Sequence, residues 1–171
     1  LGAMAAGAAA ATGAVVALGK SALDSYANYE QLTGGVETLF GAGGKSLEEY
    51  AKSVGKSTEQ VKSKYDNLIL AQTNVENSAN NAYKTAGMSA NQYMETVTSF
   101  SASLIGSLNG DTVKASKYAD QAITDMSDNA NKMGTSMESI QFAYQGFAKG
   151  QFMLLDNLKL GYGGTKEEIQ R

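Results

Sequence analysis

The sequence predicts an all-α protein. Its long amphipathic, heptad-patterned helices are joined by short Gly-rich turns, as a helical bundle or as an elongated coiled-coil oligomer. Three observations predict this. From Ala119 to Phe147 the apolar positions step four, three, four, three without a slip, through Ala119, Ile123, Met126, Ala130, Met133, Met137, Ile140, Tyr144 and Phe147. A second stretch does the same through Val61, Tyr65, Leu68, Gln72, Val75, Ala79, Ala82 and Ala86. Proline is absent from the 171 residues, where ordinary usage of ~5% would give roughly eight or nine. No clear alternation or hairpin pattern marks a strand.

Taken in order, residues Leu1 to Leu18 carry no charge and are mostly Ala and Gly. Their length approaches a membrane span, but Ala and Gly supply little transfer energy, and no basic region precedes them as in a signal peptide. An Ala-rich helix buried in a bundle is the favoured reading; triggered membrane insertion is the rival. The apolar spacing continues through Tyr26 and Tyr29, and Gly34-Gly35 is expected to interrupt it. Gly41-Ala-Gly-Gly44 is the clearest loop. It divides an Ala/Gly-rich helix and linker (1–40) from a helical segment (41–171).

Ser46-Leu-Glu-Glu49 reads as a capping box for a short helix ending near Gly55, and Ser57-Thr-Glu-Gln60 as one for the long helix of the second stripe. Within that stripe Gln72 is a polar intruder, which can set helix register at some cost in stability. Gly87 ends this helix. Ser89, with Gln92 three residues on, opens the next, whose stripe is Ala90, Tyr93, Val97, Phe100 and Leu104. Asn109-Gly110 is a turn, and Asp111 caps the helix that carries Ala119. Gly134 can end that helix, with Thr135-Ser-Met-Glu138 capping a new one, yet the heptad phase runs straight through. Hinged and continuous forms are both open. The helix-packing seam is therefore Val61, Tyr65, Leu68, Val75, Ile123, Met126, Met133, Met137, Ile140, Tyr144 and Phe147, with Gly134 as a hinge. Gly161, Gly163 and Gly164 break the pattern near the end, and Thr165-Lys-Glu-Glu168 is a last capping box.

The composition narrows function. No Cys means no disulfide and no thiolate metal site, and no His removes the commonest general base and metal ligand. Net charge is -3 and the lysines are scattered, with Arg171 the only arginine. Specific nucleic-acid binding is not expected from that pattern. Gly19-Lys20-Ser21 and Gly44-Lys45-Ser46 invite a phosphate-loop reading, but the earlier glycine it needs is Ala14 or Leu39, and no strand precedes either. Asp120, Asp125 and Asp128 lack the spacing of a calcium loop and are read as a solvated face. No catalytic constellation, cofactor site or metal site is found, and an enzyme is not expected.

Several strings carry a resemblance. They are Tyr29-Glu-Gln-Leu-Thr-Gly-Gly-Val-Glu-Thr-Leu-Phe40, Gly87-Met-Ser-Ala-Asn-Gln-Tyr-Met-Glu-Thr-Val-Thr-Ser-Phe-Ser-Ala-Ser-Leu104, Asp120-Gln-Ala-Ile-Thr-Asp-Met-Ser-Asp-Asn-Ala-Asn-Lys-Met-Gly134 and Ser139-Ile-Gln-Phe-Ala-Tyr-Gln-Gly-Phe-Ala-Lys149. Met153-Leu-Leu-Asp-Asn-Leu-Lys-Leu-Gly-Tyr-Gly-Gly-Thr-Lys166 joins them. Together these resemble the core region of tail tape measure proteins of long-tailed phages and prophages. Members are normally much longer, so the resemblance implies one segment of a longer chain. It also implies a structural role: setting tail length, templating the tail tube, and leaving ahead of the DNA to help open a path through the host envelope. The implied partners are other copies of itself, tail-tube and tail-tip or baseplate proteins, and the host membrane on ejection. The implied location is the virion, inside the tail tube or tip, and the host envelope during infection. Two other classes stay open: a membrane-inserting or pore-forming helical protein, and a secreted helical interaction module.

Overall fold

The structure, a computed structural model, describes residues 24–148 and Leu158. The readings at Leu1 to Leu18, at Gly161 to Gly164 and at Thr165 to Glu168 lie outside the described residues. Six helices occur among the described residues, and no strand. They are α1 (24–39), α2 (Leu47–Ser53), α3 (Thr58–Thr85), α4 (Ala90–Ser107), α5 (Thr112–Met133) and α6 (Met137–Ala148).

The helix starts follow from local chemistry. Ser46, Ser57 and Ser89 each sit in extended backbone and accept from the amide three residues on. The Glu49, Gln60 and Gln92 side chains return the bond to the cap amide, completing three capping boxes. Asp111 caps α5 by accepting from the Lys114 amide at 2.9 Å.

Cross-helix hydrogen bonds give the directions. Asn74 in α3 donates to Ser116 near the start of α5, and Ser127 late in α5 donates to the Ala86 carbonyl that closes α3. The two helices therefore advance together. α4 runs back antiparallel against both, with Tyr93 in its first turn donating to Asp120 midway along α5. α1 lies along α4 in the same sense, because Asn91 donates to the Ser25 carbonyl and Gly35 rests on the Thr98 methyl. α2 covers the opening turns of α3, where the Tyr50 and Tyr65 rings meet at a tilt of 52° with centres 5.8 Å apart. α6 crosses α4, with Gln141 donating to the Thr96 hydroxyl at 2.8 Å.

The chain folds back on itself around one core. Val36 and Phe40 of the first segment enter it beside Val75, Tyr93, Met94, Val97, Ile123, Met126 and Ile140. Much of its lining is alanine: Ala71, Ala79, Ala82, Ala115, Ala119 and Ala143 are all buried. Small side chains let helix axes come close, so area per residue is modest while contact is intimate.

One alternative left open is resolved, and three expectations are corrected. The helix does not run through Gly134, which closes α5 in the left-handed region at φ 62°. Ala119 to Phe147 is thus two helices, and no single rod forms over that stripe. Met133, expected in the seam, is 42% exposed. It occupies the last turn of α5, and the chain turns away before a following helical turn can extend the stripe. The cap of α6 is Ser136, one residue later than expected: its hydroxyl accepts from the Ser139 amide, and its carbonyl from the Ile140 amide. Gly34 and Gly35 do not interrupt α1, which stays helical to 39. Two glycines cost about 1 kcal/mol each in helix propensity, but Val36 and Phe40 are fully buried only if the turn continues.

Ile123 has no exposed surface. Ile123→Asp is expected to lower stability by several kcal/mol, on the order of 3–5, by burying an unpaired charge. A thermal melt within a degree of the parent would contradict its place in the core. Gly134→Ala meets no neighbouring atom, so its effect isolates the backbone. The left-handed conformation should cost it about 1–2 kcal/mol, with Gly134→Asn costing less. A melting temperature raised by alanine would instead mark a straight helix through 134 as the preferred form.

Candidate functional site

The structure places the expected seam residues in three groups. Val75, Ile123, Met126 and Ile140 are in the central core. Val61 is 3% exposed at the start of α3, where α2 packs. Tyr65, Leu68, Met137 and Tyr144 are half-buried. Phe147 belongs to α6, and its side chain lies outside the described set. Burial raises the Tyr144 phenol above its usual value, and the Asp125 charge adds to this.

The interior also holds polar bridges that the stripes do not reveal. Tyr93 is 1% exposed and its hydroxyl donates to Asp120 at 2.8 Å. Asp120, read from sequence as part of a solvated face, is therefore half-buried and engaged, while Asp125 and Asp128 are exposed. Ser127 reaches the Ala86 carbonyl at 2.7 Å, satisfying a helix-end acceptor. Gln72, expected to set register, instead bonds along its own helix to Glu76 at 2.9 Å. The end of its side chain lies against Gly41, where an added Cβ would collide with it. Register between helices falls to four bonds: Asn74–Ser116 and Ser127–Ala86 fix α5 along α3 at two levels, Tyr93–Asp120 fixes α4 on α5, and Gln141–Thr96 fixes α6 on α4.

Two grooves open on the surface. One, of 470 Å³, lies where the first half of α3 meets the start of α5, with Lys64, Leu68, Asp111, Thr112, Lys114 and Lys117 in its lining. The other, of 410 Å³, lies below the α3–α4 and α5–α6 turns and includes Gln92, Glu95, Met137, Glu138 and Gln141. Among the described residues, no three His, Cys, Asp or Glu side chains are placed to hold a metal ion. Among them, too, no helix is long and apolar enough to cross a membrane.

The convergence of Lys64 with Lys114 and Lys117 was not legible in the sequence, because the residues lie some fifty positions apart. The Tyr93–Asp120 pair left one faint signal, a Tyr on an apolar stripe whose hydroxyl must find a partner if buried. No family model, curated protein or solved structure matches this chain.

Burial, then the hydrogen bond and charge of Asp120, hold the Tyr93 phenol well above its ordinary value of 10.0. The folded protein keeps a proton that the unfolded chain loses once pH passes that value. The stabilising contribution is thus complete below about pH 10 and is lost as pH rises further. Denaturant midpoints should fall steeply above that pH. Tyr93→Phe should flatten the fall and cost about 1 kcal/mol at neutral pH for the lost bond to Asp120. An unchanged alkaline slope in that variant would place the titrating group elsewhere.

Proposed function

We propose that this chain is a segment of a phage tail tape measure protein, a structural protein of the virion tail rather than an enzyme. In this role it sets tail length, templates the tube and leaves ahead of the DNA, easing passage of the genome through the host envelope. The observation that carries the reading is the set of strings from Tyr29 to Phe40, Gly87 to Leu104, Asp120 to Gly134 and Ser139 to Lys149, which resemble the core of such proteins. The helix-only architecture and the alanine-lined core are compatible with it, since closely packed helices with little interlocking can separate at low cost.

The fold adds a condition. Residues 24–148 would reach roughly 190 Å as one continuous helix, whereas α3, the longest helix among the described residues, reaches about 42 Å at 1.5 Å per residue. A ruler therefore needs the bundle opened, with α5 and α6 joined through Gly134. A plug at the tail tip needs the bundle closed. A second reading, a helical protein-interaction module, is favoured by one observation: the described chain closes its own core without partner helices. Exposed Tyr83, Tyr26 and Phe142 would then offer contact surface.

The deciding experiment removes two heptads in frame from the 61–86 stripe and measures tails in micrographs. An opened ruler should give tails shorter by about 20 Å, rounded to whole tube rings. Intact tails of unchanged length would refute the ruler role and leave a folded plug or an interaction module.

A further inference from the structure

The lysines are dispersed in sequence, yet the fold draws three to one place. Lys64 from α3 and Lys114 and Lys117 from the opening of α5 line the 470 Å³ groove. All three are exposed, and neither of the exposed ion pairs, Lys62–Asp66 and Lys132–Asp128, involves them. Asp111 shares the groove, with one of its carboxylate oxygens accepting the Lys114 amide as the cap of α5. Thr112 is 8% exposed, and its hydroxyl has no hydrogen-bond partner among the described residues. Thr112 is part of the groove's lining. Leu68 and Val113 supply an apolar floor. The result is a patch with three cations against one acid, on a protein of net charge -3.

We infer that this groove binds an acidic amphipathic peptide segment of a partner protein. The carboxylates of that segment meet Lys64, Lys114 and Lys117, the Thr112 hydroxyl donates to one of them, and its apolar side chains rest on Leu68 and Val113. Three features select this class. Lys114 and Lys117 are three apart and share one side of α5, a spacing that matches acidic residues one helical turn apart. The apolar floor rewards side chains that a phosphodiester backbone lacks. The negative net charge and the Asp111 carboxylate oppose a long polyanion while tolerating a short acidic stretch. This inference is independent of the tail reading, since it rests on the groove alone.

Fluorescence anisotropy tests it with three labelled probes: a short helical peptide of Glu and Leu at one-turn spacing, the same peptide with Gln for Glu, and a DNA duplex. The parent should bind the acidic peptide, and added salt should weaken it. Lys64→Glu, Lys114→Glu and Lys117→Glu combined should weaken binding by at least about tenfold, while Lys52→Glu, Lys56→Glu and Lys84→Glu combined should stay within about twofold of the parent. If the first triple variant does not fold, amide shifts of Thr112, Lys114 and Lys117 in the parent, on adding the peptide, provide the same readout. No binding, equal binding of the Gln peptide, equal loss in the second triple variant, or equally tight DNA binding would each overturn the inference.

Discussion

The close, parallel approach of α3 and α5 is the contact on which the rest of the bundle depends. Ala71, Ala79 and Ala82 on α3 and Ala115 and Ala119 on α5 are buried to 3% exposure or less. Nothing larger would fit the same spacing without pushing the axes apart. Because two parallel helices cannot be joined by a short turn, α4 must return the chain against both. That return carries Tyr93, Met94 and Val97 into the centre. α1 and α6 then cover what α4 leaves open. The architecture is thus a consequence of small residues on two stripes and of turn lengths that allow only reversal.

Alanine seams hold helices close but specify their alignment poorly, since one Ala fits the place of another. The polar bridges answer this. Ser127 can meet the Ala86 carbonyl, and Tyr93 can meet Asp120, at one axial setting only. A slip by one turn would bury both sets of groups without partners, at a cost of about 1–3 kcal/mol for each unsatisfied group. The core therefore divides its labour: apolar area supplies cohesion, and a few hydrogen bonds supply register.

Gly134 is where the two possibilities meet. Its left-handed backbone lets the Ala130 carbonyl accept the closing bond of α5 while the chain reverses into α6. Only the reversal lets Ile140 and Ala143 reach the core and Gln141 reach Thr96. The heptad phase that continues through this glycine gives up a straight stripe in exchange for packing on α4. The balance is between helical hydrogen bonds across residues 134–136 and the area buried by α6, and in the isolated chain burial prevails.

The sequence by itself determined the helices and most of their ends. Ser46, Ser57, Ser89 and Asp111 act through amides two or three residues away, so their effect is readable from neighbours alone. It also determined much of the inward face of α3, α4 and the first half of α5, because helical periodicity converts spacing into a face, though Ala71 and Met94 are buried beside the stripes rather than on them. Tertiary structure decided what spacing cannot express. It continued α1 through Gly34 and Gly35, since burial of Val36 and Phe40 outweighs glycine's propensity penalty. It resolved the two forms open at Gly134, since the reward for turning lies on another helix. It turned Asp120 from a solvated acid into the partner of Tyr93, and gathered Lys64, Lys114 and Lys117 around one groove. Each of these outcomes depends on residues far apart in the chain that only the packed helices bring within reach.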